Sequence, residues 1–136
     1  MKDKYEELKQ KAKEAVKNAY SPYSDIKIGA AVLASSGKIY SGANIENSSY
    51  GASICAERTA IVKAISEKEQ SVTAIAITGD VFDYAYPCGI CRQVMSEFMQ
   101  EDAPVFVSGN NLEWKRYTLK ELLPDAFDIK AWKKEE

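Results

Sequence analysis

Along the first 20 residues apolar side chains recur three and four apart, with Tyr5, Leu8, Ala12, Ala15, Val16 and Ala19 forming a stripe and lysines and glutamates filling the gaps. That period predicts an amphipathic helix over 3–20, stopped by Ser21-Pro22. The period then shortens to two. Ile26 to Leu33 reads as a strand, Ser35-Ser36-Gly37 as a turn and Lys38 to Ile45 as a returning strand, together an antiparallel hairpin. Helical spacing returns over 54–67, where Ile54, Ala60, Ile61, Ala64 and Ile65 share a face, and over 88–99, where Ile90, Val94, Met95 and Phe98 do. Between them, Val72 to Thr78 is a continuous apolar run, as in a strand covered on both faces, and its place between two helices implies a parallel crossover. Ala103 to Ser108 gives a fourth strand, and Gly109-Asn110-Asn111 turns toward an antiparallel fifth at Glu113 to Tyr117. Thr118 and Glu121 have the spacing of a capping box, opening a short helix that ends at Pro124.

This order describes an α/β protein: a single layered domain over 1–136 with a five-stranded mixed β-sheet flanked by helices. Residues 1–20 are its N-terminal helix and 129–136 a loose, charged tail. A chain of 136 residues is enough for one core. It shows no repeat, linker or low-complexity segment. With 28% charged residues and no apolar run near the ~20 needed to cross a bilayer, no membrane span is expected. The charged N-terminus lacks the apolar centre of a secretory signal, so the expected location is cytoplasmic. A net charge of −2 argues against a partner bound through nucleic-acid phosphates.

Candidate chemistry enters with the three cysteines. Cys55 lies at the start of one predicted helix, within Cys55-Ala56-Glu57-Arg58, and Cys88 and Cys91 start another, within Pro87-Cys88-Gly89-Ile90-Cys91-Arg92. A spacing of three puts Cys88 and Cys91 one turn apart on one face, so two sulfurs can hold one ion. Cys55 supplies a third. An odd cysteine count does not complete a disulfide framework and suits thiolates that bind metal in a reducing compartment.

Zinc takes four ligands. A catalytic site provides three and keeps the fourth position open, whereas a structural site closes it with another Cys or His. The chain has no histidine, so the open site is the better reading, with Glu57 as a proton carrier and not a ligand. Two duller readings stay open: Cys88-x-x-Cys91 alone suits a redox pair, and a carboxylate could close a structural zinc site. Three thiolates and one Zn²⁺ sum to −1, which calls for compensation from the two helix N-termini and from Arg58, three residues after Cys55. Arg92 is a further candidate, with pairing to a surface carboxylate as its alternative.

These motifs resemble the zinc-dependent cytidine deaminase superfamily, whose known signature is Cys or His, any residue, Glu, then Pro-Cys-x-x-Cys. The likeness extends to SPYSDIKIGAA at 21–31, NIEN at 44–47, CAERTA at 55–60, PCGICRQ at 87–93 and ELLPDAF at 121–127, and so to the small homotetrameric enzymes of free nucleosides. It implies one zinc per chain on Cys55, Cys88 and Cys91. It also implies hydrolytic deamination of cytidine and deoxycytidine in pyrimidine salvage, with Glu57 moving protons from water to N3 and to the leaving amine.

The resemblance assigns Asn44 and Glu46 to the ribose hydroxyls, although an amide and a carboxylate at a strand's end also suit turn chemistry. It places Tyr50 and the backbone of Ala56 in the base pocket. It also implies a homo-oligomer, a tetramer, in which Phe127 enters that pocket from a neighbouring subunit. One position departs from the family: two residues after Ser-Pro-Tyr-Ser, where the family carries a phenylalanine that stacks on the pyrimidine, this chain has Ile26. The rival functions are deamination of a modified cytosine nucleoside such as blasticidin S, deamination of nucleic acid, and a non-enzymatic zinc or redox role. NIEN and ELLPDAF favour ordinary nucleosides over the first. The acidic pI and the hairpin of strands four and five disfavour the second.

Overall fold

The computed structural model describes residues 2–133. Its strands are β1 (Ile28–Ala34), β2 (Ile39–Ala43), β3 (Val72–Gly79), β4 (Pro104–Val107) and β5 (Lys115–Thr118). They form one mixed sheet in the order β2-β1-β3-β4-β5. The helices are α1 (Lys2–Ala15), α2 (Ala56–Ser66), α3 (Gly89–Phe98) and two single turns, α4 (Leu119–Leu122) and α5 (Ile129–Trp132). β1 pairs antiparallel with both β2 and β3. β3 and β4 run parallel and are joined through α3, the right use of a helical crossover, and β5 returns antiparallel to β4. Gly37, at φ +95°, makes the tight turn between β1 and β2 in a conformation that other residues rarely adopt.

Alternate residues of each strand face opposite sides of the sheet, and both sides are covered. Ala30, Val32, Ile75, Ile77, Val105 and Val107 pack with Ala56, Ala60, Ile61 and Ala64 of α2 and Met95 of α3. Their chain neighbours Ala31, Leu33, Ala74, Ala76 and Phe106 pack with Leu8 and Ala12 of α1 on the other side. This three-layer arrangement explains why β3 reads as an unbroken apolar run. Among the described residues, no helix is long and apolar enough to cross a membrane.

Three expectations are corrected. The first helix stops at Ala15, followed by a 3₁₀ turn at Val16–Asn18. Beyond it, the N–H of Tyr20 donates to the Asn44 carbonyl (2.9 Å) and its own carbonyl accepts from the N–H of Glu46 (2.8 Å), bonds that a helix running on to residue 20 would forfeit. Ile90, placed by periodicity on the buried face of α3, is 64% exposed, and Cys91 and Met95 carry that face. The tail is not loose as far as Lys133, because Asp128 caps α5 by accepting from the N–H of Lys130 (3.0 Å), and Phe127 packs edge-on against Trp132 at 5.3 Å. The remainder of the expected tail, 134–136, and Met1 lie outside the described residues. The capping box is present: Thr118 Oγ1 accepts from the N–H of Glu121 (3.2 Å), and the Glu121 carboxylate accepts from the N–H of Thr118 (2.7 Å).

The sheet grips α2 closely. A Cβ at Gly42 of β2 would lie 2.7 Å from the backbone nitrogen of Ala60 and 2.9 Å from the Thr59 side chain. Gly42→Ala therefore has to push α2 off the sheet. We expect it to cost about 1–3 kcal/mol in urea unfolding, the usual cost of overpacking. An unchanged midpoint would show that the helix shifts freely.

Candidate metal centre and active site

The segment after β2 turns back on itself before α2. Ile45 and Ile54 exchange backbone hydrogen bonds of 3.0 and 2.9 Å, and this delivers Cys55 to the N-cap of α2. Thr59 anchors it there, its N–H and hydroxyl both donating to the Cys55 carbonyl at 3.0 and 3.1 Å. Cys88 is the N-cap of α3, its carbonyl accepting from the N–H of Arg92 at 2.9 Å, and Cys91 follows one turn on. Two of the three cysteines are thus caps and not members of the first turn.

The two helix starts bring the three sulfurs within 4.8 Å of one another. Cys55 and Cys88 are 3.9 Å apart and Cys88 and Cys91 3.4 Å, with no disulfide among them. Zinc–sulfur bonds of about 2.3 Å at tetrahedral angles separate sulfurs by roughly 3.8 Å, so the donor set fits one zinc ion. The Arg58 guanidinium donates from Nη2 to Cys55 Sγ at 3.7 Å, while its Nε is buried without a partner among the described residues. Without metal, the Cys55 thiol is pulled down to about 5, first by the hydrogen bond from Cys91 and then by Arg58, against the opposing effect of burial. The hydrogen bond to Cys55, with burial, holds Cys91 protonated.

Glu57, in the first turn of α2, is 4% exposed. Burial, with the Cys55 charge adding to it, pushes its carboxyl up to about 7. The cavity it borders measures about 160 Å³ and is lined by Ile28, Asn44, Cys55, Ala56, Glu57, Ile77, Ala85, Tyr86 and Cys88. This is the mouth of the sheet, where β2 and β3 end and β1 begins. Larger cavities lie elsewhere, one of about 410 Å³ beside Lys13 and Asn110 and one of about 400 Å³ beside α4. Neither borders the sulfurs, and chemistry outweighs volume here.

Of the other anticipated residues, only Asn44 and Ala56 line that cavity. The Asn44 amide is engaged locally, accepting from the N–H of Ile28 (2.9 Å) and donating to the Ile26 carbonyl (2.8 Å). Glu46 accepts from the N–H groups of Tyr23 (2.9 Å) and Ser24 (3.1 Å) and from the Ser24 hydroxyl. The Ser24 hydroxyl is the main reason its carboxyl is held below the usual range. Glu46 and Tyr50 border a separate cavity of about 290 Å³ with Tyr23, Ser24 and Ser53. Ile26 is half exposed, just ahead of β1, and Phe127 is half exposed beside α4. Arg92 donates to the carbonyls of Pro87 and Leu122, each at 2.7 Å, and among the described residues to neither a thiolate nor a carboxylate. Sequence reasoning missed Ser24, whose spacing to Glu46 carries no signal, and Tyr86, which its position just before Pro87 could have marked.

Comparison with known proteins bears on the same residues. The family model for the cytidine and deoxycytidylate deaminase zinc-binding region matches residues 2–107. A cytidine deaminase of Halalkalibacterium halodurans is 46% identical over 120 residues, covering 88% of this chain and 91% of that protein. One from Sporosarcina psychrophila is 44% identical over 122 residues, 90% of each. The crystal structure of cytidine deaminase from Burkholderia pseudomallei superposes with a TM-score of 0.86 at 39% identity, covering 90% of this chain and 98% of that one.

Three sulfurs close enough to hold one ion lead us to expect that each cysteine is needed for metal. Cys88→Ala should lower bound zinc well below one per chain, and thermal stability with it, because forming such a site is coupled to folding. Elemental analysis that finds a full equivalent of zinc in this variant would contradict the three-sulfur site.

Proposed function

We infer the reaction from kinship and geometry together: the chain belongs to the cytidine and deoxycytidylate deaminase family, and it is a zinc-dependent enzyme that deaminates cytidine hydrolytically. The observation that carries the reading is a buried carboxyl, Glu57, sharing one small cavity with Cys55 and Cys88, two members of a three-cysteine cluster. Deoxycytidine is the second substrate, and the products are uridine or deoxyuridine and ammonia. The cellular setting is pyrimidine salvage in the cytoplasm.

When bound by Cys55, Cys88 and Cys91, zinc supplies the Lewis acidity that makes water a nucleophile at neutral pH. Glu57 takes a proton from that water as its oxygen adds to C4, and delivers it to N3. It then carries the second proton to the amine, the C4–N bond breaks, and ammonia leaves. A carboxyl that burial holds at about 7 can both take and give a proton near neutrality. Arg58 and the N-termini of α2 and α3 offset the thiolate charge. Asn44 and Glu46 hold the ribose hydroxyls, using hydrogen-bonding capacity left over from their backbone contacts. Ala56 lines the pocket at the first position of α2, where a backbone N–H has no partner within the helix. Ile26 and Tyr50 flank the entrance. The acidic net charge speaks against a nucleic-acid partner.

The active form is a homo-oligomer, a tetramer, in which Phe127 completes a neighbour's pocket. Two observations support this. A cavity of about 160 Å³ is small beside the roughly 300–1,000 Å³ of ordinary small-molecule sites, so one chain encloses too little. Phe127 lines a different cavity of its own chain, so any pyrimidine that it meets is bound elsewhere.

Purified protein incubated with cytidine, deoxycytidine, free cytosine and a cytosine-containing oligonucleotide should release ammonia from the two nucleosides. Glu57→Gln should keep its zinc and its fold while losing at least about 10²- to 10⁴-fold in turnover. Activity within tenfold of wild type would remove Glu57 from the mechanism. Neither Phe127→Ala nor Glu57→Gln alone should act well at low substrate, but mixed oligomers contain sites with an intact Glu57 and a neighbour's intact Phe127. Mixing should therefore restore turnover, and a lack of recovery despite demonstrated subunit exchange would refute the shared site.

A further inference from the structure

The cavity that holds Glu57 has one aromatic residue in its lining, Tyr86; the remaining apolar lining is aliphatic, from Ile28, Ile77, Ala85 and Ala56. Tyr50 and Phe127 border other cavities of this chain, and residue 26 is an isoleucine. Tyr86 is followed by Pro87 and Cys88, so its backbone is tied to the metal centre within two residues. Its ring is braced by its neighbours. Tyr117 meets it edge-on at 6.0 Å and 67°, and Tyr84 meets it tilted at 6.0 Å and 41°. Its hydroxyl lies 3.3 Å from that of Tyr117 and accepts from Lys115 Nζ at 3.5 Å, while Lys115 itself sits 4.2 Å above the Tyr84 ring. Despite these neighbours the residue is 42% exposed, which leaves surface free for a ligand.

A planar heterocycle entering a pocket of small aliphatic groups gains most from a flat, polarizable wall whose orientation is already fixed. We propose that Tyr86 is a substrate-contacting residue, and that its ring is the wall against which the pyrimidine lies in this chain's own pocket. The inference deepens the cytosine-nucleoside reading and rests on it. The ring carries the contact. The hydroxyl belongs to the bracing cluster with Tyr117 and Lys115 and makes no contact with the base.

The test uses zinc-loaded protein and two readouts: steady-state turnover of cytidine, and calorimetric binding of uridine, which needs no catalysis. Base–aromatic stacking predicts that Tyr86→Ala raises KM and the uridine Kd together by roughly 5- to 150-fold, with kcat within about threefold of wild type. Tyr86→Phe should stay within about twofold in both. Tyr86→Leu, which keeps apolar bulk without a ring, should fall between them, and it serves if the alanine variant folds poorly. Wild-type uridine affinity in Tyr86→Ala or Tyr86→Leu would overturn the proposal while leaving the function intact. A phenylalanine variant as impaired as the alanine one would overturn it too, by assigning the effect to the hydroxyl. Wild-type protein that neither binds uridine nor releases ammonia would overturn the functional reading, and this proposal with it.

Discussion

The site depends on the meeting of two helix N-termini. Cys55 and Cys88 are 33 residues apart in sequence, yet each caps a helix and their sulfurs lie 3.9 Å apart. One sheet sets both positions: α2 is seated on β2, where Gly42 leaves room for its backbone, and α3 is the crossover between β3 and β4. The encounter also settles the electrostatics. Three thiolates around Zn²⁺ leave −1, and two helix starts bring roughly half a positive charge each, so peptide dipoles alone come near to balancing the centre. Arg58 donates to Cys55 Sγ at 3.7 Å, the contact behind its proposed share in that balance. A chain without histidine can thus hold a metal centre of low net charge, because the balance is built into the backbone.

The remaining polar residues around the pocket hold loops more than they face outward. Arg92 ties the Pro87 and Leu122 carbonyls together, fixing the turn before Cys88 against α4. Glu46 draws in Tyr23 and Ser24, and Asn44 joins the backbone at Ile26 and Ile28. The rim is therefore set before any ligand arrives, and less ordering has to be done on binding. The turn-chemistry alternative for Asn44 and Glu46 and the proposed ribose role are compatible: a carboxylate has about four acceptor positions and an amide has two donors, so local bonds leave capacity over.

Most of the architecture was legible because it is written in periodicity. Every strand and both long cysteine helices follow from spacing, and β3 announces its two-sided burial by having no polar face. What escaped was decided by contacts between distant residues. Residues 16–20 have helical spacing but give up the helix because Tyr20 pairs with the strand end at Asn44 and Glu46. Ile90 fits the apolar stripe of α3, yet that stripe turns inward only from Cys91. Arg92 sits beside a thiolate in sequence and reaches two carbonyls in space. The cysteines and Glu57 were legible for the opposite reason: their chemistry needs fixed offsets within one turn of helix, and such offsets survive in sequence. Tyr86 has no such offset. Its importance comes from Tyr84, Tyr117 and Lys115, two of which lie on β5 and reach it only through the sheet.

Burial of Glu57 links fold and chemistry most directly. A carboxyl at 4% exposure is unfavourable to ionise, and it sits on the helix face that also carries Ala60, Ile61 and Ala64 into the core. The same desolvation that penalises its charge raises its proton affinity to about 7, where one group can act in turn as base and as acid. Its cavity, only about 160 Å³, is lined by strand, helix and loop residues. The fold thus supplies the whole chemical floor from one short chain and leaves the upper wall to whatever rings can be brought over it.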